Sequence, residues 1–220
     1  MAEVLLVVAA GPGLGASVAR RFAREGFGVG LLARSADKLS DLAVELRSLG
    51  AAQVAVGEAD AADPAALRTA LASLTSELGA ATVLVFNGSE YVEGRPTEVD
   101  HDAFVHGLEV GVGAALVSVQ AVAPAMRAAG RGTIVLTGSV AADHPSVSAA
   151  TVGVAKAALR NYAASLHKEL APDGVHATTV TIRGVLQGSK ALDLDEIAER
   201  YWAVHTAARE AWVAEVPFPA

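Results

Sequence analysis

Short apolar runs alternate with longer amphipathic segments along the chain. Seven of these runs carry almost no charge, which is typical of strands buried on both faces of a parallel sheet. They cover residues 4–8, 28–33, 53–57, 82–86, 133–137, 176–182 and 212–216. The segments between them are long enough for crossover helices. This alternation predicts an α/β fold, a doubly wound sheet of about seven parallel strands with helices on both faces.

The intervening segments carry recognisable helix ends. Ser35 is expected to cap the second helix and Gly50 to end it, and Asp63 followed by Pro64 is typical of a helix start. Because nothing in the 220 residues has the composition of a linker, we expect one domain over residues 1–220. The predicted helices cover residues 16–24 and 35–49, a segment from residue 64, then 98–129, 149–171 and 195–208.

The stretch from Val110 to Met126 is apolar nearly all round. A helix with no polar face is expected to be covered by a partner, although an Ala-rich and Gly-rich helix can also pack tightly in a monomer. Gly111, Gly113 and Pro124 interrupt the stretch. It is therefore expected to be too short and too broken to span a membrane.

Composition narrows the function classes. The net charge of -7 is spread along the chain without a basic stripe, so we expect no nucleic-acid partner. The absence of cysteine excludes disulfides and thiolate chemistry. The six histidines have no paired ligand spacing, which predicts no metal site. The apolar start lacks a basic region and is interpreted as a strand, so a soluble cytoplasmic protein is expected.

A glycine-rich turn, Gly11-Pro12-Gly13-Leu14-Gly15, joins the first predicted strand to the first predicted helix. Glycines let the backbone approach a pyrophosphate, and the helix N-terminus supplies free N–H groups and a positive dipole end. The turn therefore predicts a dinucleotide site. The alternative is a tight turn that binds no ligand.

The second strand ends at Arg34 and Ser35, without an acidic residue to hold a ribose 2′-hydroxyl. Arg34, with Lys38 nearby in the sequence, can pair with a 2′-phosphate, because a guanidinium matches phosphate oxygens in a fork. This favours NADP (NADPH) over NAD. The alternative is a solvated arginine at the start of a helix.

The segment from Ser139 to Lys156 resembles the catalytic stretch of the short-chain dehydrogenase/reductase family. That family carries a serine at the end of the fifth strand and then Tyr-x-x-x-Lys, where this chain has Val152-Gly-Val-Ala-Lys156. The turn and the C-terminal segment are similar to an atypical bacterial subgroup with a Gly-Pro-Gly-Leu-Gly turn and no catalytic tyrosine. The fold that the resemblance implies is Rossmann-type.

The resemblance also implies cofactor contacts, with departures from the family pattern. Gly13 and Gly15 match the last two glycines of Gly-x-x-x-Gly-x-Gly, and Ala9 stands in place of the first. Asp60 corresponds to an adenine contact or is a turn former. Gly188 stands where the family has a threonine near the nicotinamide. The expected cofactor-binding residues are Gly11, Gly13, Leu14, Gly15, Arg34, Ser35, Asp60, Ala61, Asn87, Gly88, Lys156, Gly184 and Val185.

The resemblance implies hydride transfer between NADP and a carbonyl or alcohol. In the family the tyrosine moves the proton, the lysine lowers the tyrosine pKa and binds the ribose, and the serine holds the substrate oxygen. Here Val152 cannot move a proton, and Gly111 stands where the family has an asparagine. Losing a positioned acid or base typically costs about 10²–10⁴-fold in rate. Ser139, alternatively a turn cap, and Lys156 remain as catalytic residues.

Two loop residues are possible surrogate acids. His144 follows the fifth strand and Tyr91 follows the fourth, so both lie at the carboxyl edge of the sheet, where open α/β folds bind ligands. The alternative is that both only decorate loops. Tyr201 and Trp202 either complete the substrate pocket or anchor the core. The sequence names no substrate.

Three functions stay open. The first is an NADP-dependent oxidoreductase, the second is a noncatalytic NADP-binding sensor or partner subunit, and the third is an interaction scaffold that keeps only the fold. Ala9 and Pro12 favour the scaffold, whereas Lys156, Asn87 and Arg34 oppose it. The resemblance implies a homodimer or homotetramer through the helices near 98–129 and 149–171.

Overall fold

The computed structural model describes residues 2–186 and 192–219. A parallel seven-stranded sheet runs through this part of the chain in the order β3-β2-β1-β4-β5-β6-β7. The predicted doubly wound sheet is therefore confirmed, and its order reverses between β1 and β4. The strands are β1 (Val4–Val8), β2 (Gly28–Ala33), β3 (Gln53–Glu58), β4 (Val83–Phe86), β5 (Gly132–Ser139), β6 (Val175–Ile182) and β7 (Glu215–Phe218).

Helices cover both faces of this sheet. They are α1 (Leu14–Ala23), α2 (Ser40–Ser48), α3 (Pro64–Leu78), α4 (His101–Leu108), α5 (Ala114–Ala129), α6 (Ala150–Leu170) and α7 (Leu194–His205). Alternate residues of a strand point to opposite faces, so each strand feeds two cores. In β1, Leu6 and Val8 join the core under α3, α5 and α6, whereas Leu5 and Val7 join the core under α1, α2 and α7.

The last strand and one helix cap differ from the sequence predictions. The strand lies at Glu215–Phe218 rather than 212–216, because Trp212 stacks on His176 with ring centroids 4.9 Å apart. Ser35 does not cap a helix: a 3-10 turn at Asp37–Leu39 precedes α2, and the N–H of Ala36 donates to Glu58 Oε2 at 2.9 Å. A residue distant in sequence thus holds the backbone just before this turn.

The cap at Asp63 is confirmed, since its side chain accepts the N–H groups of Ala65 and Ala66 at 2.9 and 3.0 Å. Pro64 occupies the first helical position, where its missing N–H costs nothing. The first helix begins at Leu14 rather than at residue 16. Thus the glycine turn leads directly into α1.

The apolar helix has nearly the predicted bounds, 98–129, but it is less interrupted than expected. It is continuous over His101–Ala129, with a π-helical turn at Glu109–Gly113 and Pro124 inside α5, and it is long and apolar enough to cross a membrane. The expectation that its glycines and proline break it is therefore wrong. In this fold its apolar residues have another explanation, because Val117, Val122 and Met126 pack into the core of the sheet.

Candidate functional site

The glycine turn between β1 and α1 forms an open cradle at the carboxyl edge of the sheet. A Cβ added to Gly11 or Gly13 would meet no atom within 4 Å, whereas one on Gly15 would lie 3.3 Å from Ala10 Cα. Gly15 therefore allows the helix to pack against the strand. The N–H groups of Leu14 and Gly15 have no acceptor among the described residues. Together with the helix dipole, these free donors suit an anionic group.

Ala9 adopts a backbone conformation that suits glycine. Its φ is +59°, in the left-handed region where a Cβ costs about 1–2 kcal/mol. The residue lies where the family resemblance expects the first glycine of the turn. The replacement of that glycine therefore strains the backbone, in addition to placing a methyl group at the wall of the adjacent cleft.

A cleft of about 230 Å³ opens where β1, β2, β3 and β4 end. This is the point at which the strand order reverses, where open α/β folds bind ligands. Glu90 also lies in its wall and was not predicted from the sequence, although it is only two residues beyond the predicted Asn87-Gly88 pair. The lining residues are Ala9, Ala10, Leu32, Ala33, Arg34, Ala59, Asp60, Ala61, Asn87, Ser89, Glu90 and Val110.

A second cleft of about 170 Å³ lies beside the glycine turn and shares Arg34 with the first. Gly11, Ser35 and Lys38 line it as well. Arg34 is exposed and makes no ion pair with any described residue. An exposed guanidinium with a lysine beside it, next to the cradle of free N–H groups, is suited to bind phosphate.

The space that a side chain at Gly88 would need is already filled. A Cβ at this position would collide with the ring of Phe86 and would lie 2.9 Å from the carbonyl oxygen of Val110. Phe86 is fully buried, and its ring occupies that space. Phe86 and Gly88 are therefore structurally coupled.

Lys156 is a buried cation at the carboxyl edge of the sheet beside the ends of β4 and β5, a region that we call the catalytic edge after the family resemblance. Its Nζ donates to the carbonyl oxygens of Thr137 at 2.8 Å and Gly88 at 3.3 Å, and the residue is 6% exposed. Burial lowers the pKa of its ammonium to about 8, because the charged form is poorly solvated. The pairing of β4 with β5 ends at Phe86 and Leu136. Lys156 thus bridges these segments where the strands separate.

Ser139 caps a turn in this structure. Its Oγ accepts the N–H of Ala141 at 3.2 Å at the end of β5, which is the alternative that the sequence left open. The hydroxyl hydrogen is not needed for that contact. Ser139 can therefore still donate a hydrogen bond to a ligand at this edge.

Small residues line the contact between the π-helical turn and α6. Val152 lies in the first turn of α6 and is half-buried. A Cβ on Gly111 would lie 3.1 Å from the Cβ of Ala155, one residue before Lys156. An asparagine at position 111 would therefore have to displace Ala155. The helix forms a π-helical turn here, with Gly111 at the position where the resemblance expects an asparagine.

The two predicted surrogate acids lie on loops that contact each other. The N–H of Gly94 donates to the carbonyl oxygen of Ser148 at 3.2 Å, which joins the loop of Tyr91 to the loop of His144. Tyr91 is 63% exposed and His144 is exposed as well. Neither side chain makes a hydrogen bond to a described residue, so both point to solvent rather than into a preformed site.

An ion-pair network that the sequence analysis missed fixes the second of these loops. Arg160 forms a two-pronged contact with Asp143 at 2.7 and 2.8 Å, and its Nε lies 3.2 Å from Glu215 Oε1. The hydrogen bonds from Arg160 lower the pKa of Asp143. The partners are 17 and 55 residues from Arg160 in sequence, so no local pattern indicates them.

In the segment after β6, Leu192 packs beside two of the predicted cofactor-binding residues. A Cβ on Gly184 would lie 2.8 Å from Leu192 Cδ1, and the carbonyl oxygen of Val185 accepts the N–H of Leu192 at 2.9 Å. Gly184 and Val185 are both exposed. Gly188 lies outside the described residues.

Tyr201 and Trp202 belong to the core, and the pocket role considered for them is wrong. Tyr201 is fully buried and its hydroxyl hydrogen-bonds Thr137 Oγ1 at 2.8 Å. Burial raises the pKa of this phenol, so it stays protonated. Trp202 packs edge-on against Phe22, with ring centroids 5.1 Å apart.

Comparison with known proteins places this geometry in context. The sequence pattern described as short chain dehydrogenase matches residues 3–191. The chain is 33% identical over 187 residues to (2S)-[(R)-hydroxy(phenyl)methyl]succinyl-CoA dehydrogenase subunit BbsC of Thauera aromatica, covering 83% of this chain and 72% of that protein.

Two solved structures are also similar to the chain. A short-chain dehydrogenase from Rhodopseudomonas palustris superposes with a TM-score of 0.88 at 27% identity, over 98% of this chain and 97% of that chain. A metagenomic short-chain oxidoreductase in complex with NADP gives a TM-score of 0.87 at 26% identity, over 98% and 95% of the two chains.

Replacing Ala9 with glycine is expected to stabilise the protein. Glycine adopts the left-handed conformation without a Cβ clash, so Ala9→Gly should raise the free energy of unfolding by about 1 kcal/mol. Urea denaturation measures this change. Ala10→Gly is the matched control, because Ala10 has no positive φ and glycine there should destabilise. A lower free energy of unfolding for Ala9→Gly would contradict the strain.

Proposed function

This chain belongs to the short-chain dehydrogenase/reductase family of oxidoreductases, and we propose that it binds NADP(H) and transfers hydride between the cofactor and a carbonyl or alcohol substrate. The observation that carries the proposal is the pair of clefts that meet at Arg34 beside the free N–H groups of α1. We further propose a single cofactor-binding domain over residues 1–220 in a cytoplasmic protein.

The residues present fit a nicotinamide dinucleotide. The N–H groups of Leu14 and Gly15 would hold its pyrophosphate, and Asp60 and Asn87 would face the adenosine. Lys156 would lie at the nicotinamide end of the cofactor. When bound, the cofactor supplies the hydride, and the chain's own residues bind, orient and handle the proton.

Preference for NADP over NAD rests on the charges at the end of β2. Arg34 and Lys38 line the second cleft, and both are exposed cations. Glu58 acts in the opposite sense, because its carboxylate lies against the N–H of Ala36, two residues beyond Arg34. A 2′-phosphate would be attracted by the two cations and repelled by Glu58. The NADP complex of the metagenomic relative supports this preference by similarity.

Removing Arg34 should weaken NADPH binding selectively. Losing a hydrogen bond to a charged group costs about 1.5–3 kcal/mol, so Arg34→Ala should raise the Kd for NADPH about 10-fold or more. The Kd for NADH should change less than about 2-fold, because NADH lacks the phosphate. Calorimetric titration with both cofactors measures this.

Two further variants sharpen the titration. Glu58→Gln removes one negative charge and should tighten NADPH binding while leaving NADH binding unchanged. Arg24→Ala, at an exposed residue just beyond α1 and outside both clefts, is the neutral control. Equal losses for the two cofactors in Arg34→Ala would disprove the phosphate contact. If neither cofactor binds wild-type protein at millimolar concentration, the scaffold function takes the place of this proposal.

We also propose a homodimer or homotetramer formed through α4, α5 and α6. Leu116 on α5 is 43% exposed and Val154 on α6 is 47% exposed. Residues of the same two helices, including Ala123, Tyr162 and Leu166, line a groove of about 370 Å³. Contiguous apolar surface of this kind is typical of a subunit interface.

A charge in this surface should separate the subunits. Leu116→Asp is expected to sediment as a monomer, because burying an unpaired carboxylate in the interface is costly. Val44→Asp, at a 65% exposed position on α2, should sediment like the wild type. A wild-type protein that is already monomeric at micromolar concentration would overturn the proposal.

A second function is favoured by two observations. Val152 offers no proton donor, and the relative from Thauera aromatica is named as a dehydrogenase subunit. The chain could accordingly serve as a partner subunit that binds cofactor without hydride chemistry of its own. The two functions differ in whether the wild type turns over a substrate.

Placing a tyrosine at position 152 separates them. For an oxidoreductase, Val152→Tyr should raise an already measurable rate of carbonyl reduction by NADPH by about 10²-fold, the usual effect of a positioned acid. The assay is loss of NADPH absorbance with a panel of aldehydes and ketones. Ala157→Tyr, at an exposed site on the same helix, should show no gain. Turnover that occurs only in Val152→Tyr identifies the partner subunit.

A further inference from the structure

The ammonium of Lys156 has an unused N–H bond. Two of its three hydrogens are directed to the carbonyl oxygens of Thr137 and Gly88, at 2.8 and 3.3 Å. The third has no acceptor among the described residues. Both carbonyls adjoin residues of the catalytic edge, since Asn87 and Ser139 are their near neighbours in sequence. The third N–H of Lys156 therefore belongs to an ammonium whose position is fixed by its two other hydrogen bonds.

The other titratable groups near this edge are engaged or exposed. Arg160, one turn further along α6, is held by Asp143 and Glu215. Glu109 in the π-helical turn is exposed, and so is His144. No carboxylate of the described residues lies within ion-pair distance of Lys156 Nζ. Burial alone sets its pKa at about 8, so the ammonium is charged at neutral pH and can lose a proton readily.

The side chains around Lys156 are small. Val152 lies one turn earlier on the same face of α6, and position 111, against Ala155, is a glycine. Neither residue can carry a proton between Lys156 and a ligand. The side-chain proton relay that the family resemblance implies therefore lacks its tyrosine and its asparagine. Lys156 is still present, and its position is fixed.

We infer that Lys156 itself donates the proton to the substrate oxygen in this chain, in place of the missing tyrosine. The inference rests on the proposed function, because the hydride must come from NADPH. The carbonyl carbon receives that hydride and its π electrons move to the oxygen. One N–H bond of Lys156 breaks as the O–H bond of the alcohol forms. The neutral amine then regains a proton from water.

The small number of lysines allows a direct test that does not depend on activity. The chain has four, Lys38, Lys156, Lys168 and Lys190. With ¹⁵N-labelled lysine, NMR should show the side-chain signal of Lys156 titrating near pH 8. That signal should be absent in Lys156→Arg. A Lys156 signal that titrates above pH 10 would overturn the inference, even if the arginine variant does not fold.

Turnover provides the second test. Reduction of 4-nitrobenzaldehyde and of 2,3-butanedione by NADPH is measured from pH 6 to 10. The wild-type rate should fall as pH rises through the pKa of Lys156, because only the ammonium can donate. Lys156→Arg keeps a cation but cannot release its proton, so kcat should fall about 10²-fold or more while the Kd for NADPH changes only a few-fold. Lys168→Arg, at an exposed site of α6, should match the wild type.

The outcomes separate this inference from the proposed function. If NADPH does not bind the wild type, the proposed function fails and this inference fails with it. If NADPH binds but the wild type reduces neither substrate, cofactor binding stands, but hydride transfer by this chain and the assignment of Lys156 are both overturned. If the wild type is active and Lys156→Arg keeps its rate, or His144→Ala or Tyr91→Phe loses it instead, only the assignment of Lys156 is overturned.

Discussion

A buried ammonium that forms no ion pair with any described residue organises the carboxyl edge of the sheet near β4 and β5. Lys156 Nζ donates to Thr137 and Gly88 at the point where β4 and β5 stop pairing. Beyond Leu136 the ladder can no longer supply a donor from β4, so a side chain from α6 supplies it. Buried carbonyls need a partner, and a buried charge needs hydrogen bonds. The two hydrogen bonds of Lys156 meet both needs and connect α6 to the ends of β4 and β5.

The changes from the family pattern at this edge are coupled in space. The ring of Phe86 fills the volume that a Cβ on residue 88 would need, and Gly111 lets the π-helical turn approach Ala155. Restoring an asparagine at 111, or a larger residue at 88, would require a neighbour to move. The cofactor side differs, because the strain at Ala9 lies in its own backbone, at a φ of +59°. The nucleotide clefts also keep exposed polar residues such as Arg34 and Lys38.

The sequence was sufficient for the fold because the signals that define it are local. Uncharged runs and glycine turns give the strands, and β1 and β2 have the predicted bounds. Errors occur where a distant residue intervenes: Glu58 takes the N–H of Ala36, and Trp212 stacks on His176 instead of entering β7. Arg34, Asp60 and Asn87 in the cleft walls were predictable, because they follow strand ends. The contacts of Gly88 and the partners of Arg160 were not, because they depend on pairs far apart in sequence.

Burying the charged ammonium of Lys156 costs folding free energy. A pKa near 8 instead of 10.5 corresponds to a burial penalty of about 3 kcal/mol at neutral pH. The penalty is present below pH 8 and disappears as pH rises to 10.5, because the folded state releases its proton before the unfolded state does. A methionine at position 156 would avoid this penalty, but the carbonyl oxygens of Thr137 and Gly88 would lose the hydrogen bonds that Lys156 donates. The packing therefore explains the presence of Lys156 but leaves its third N–H unused, and only a ligand at this edge would give that bond a role.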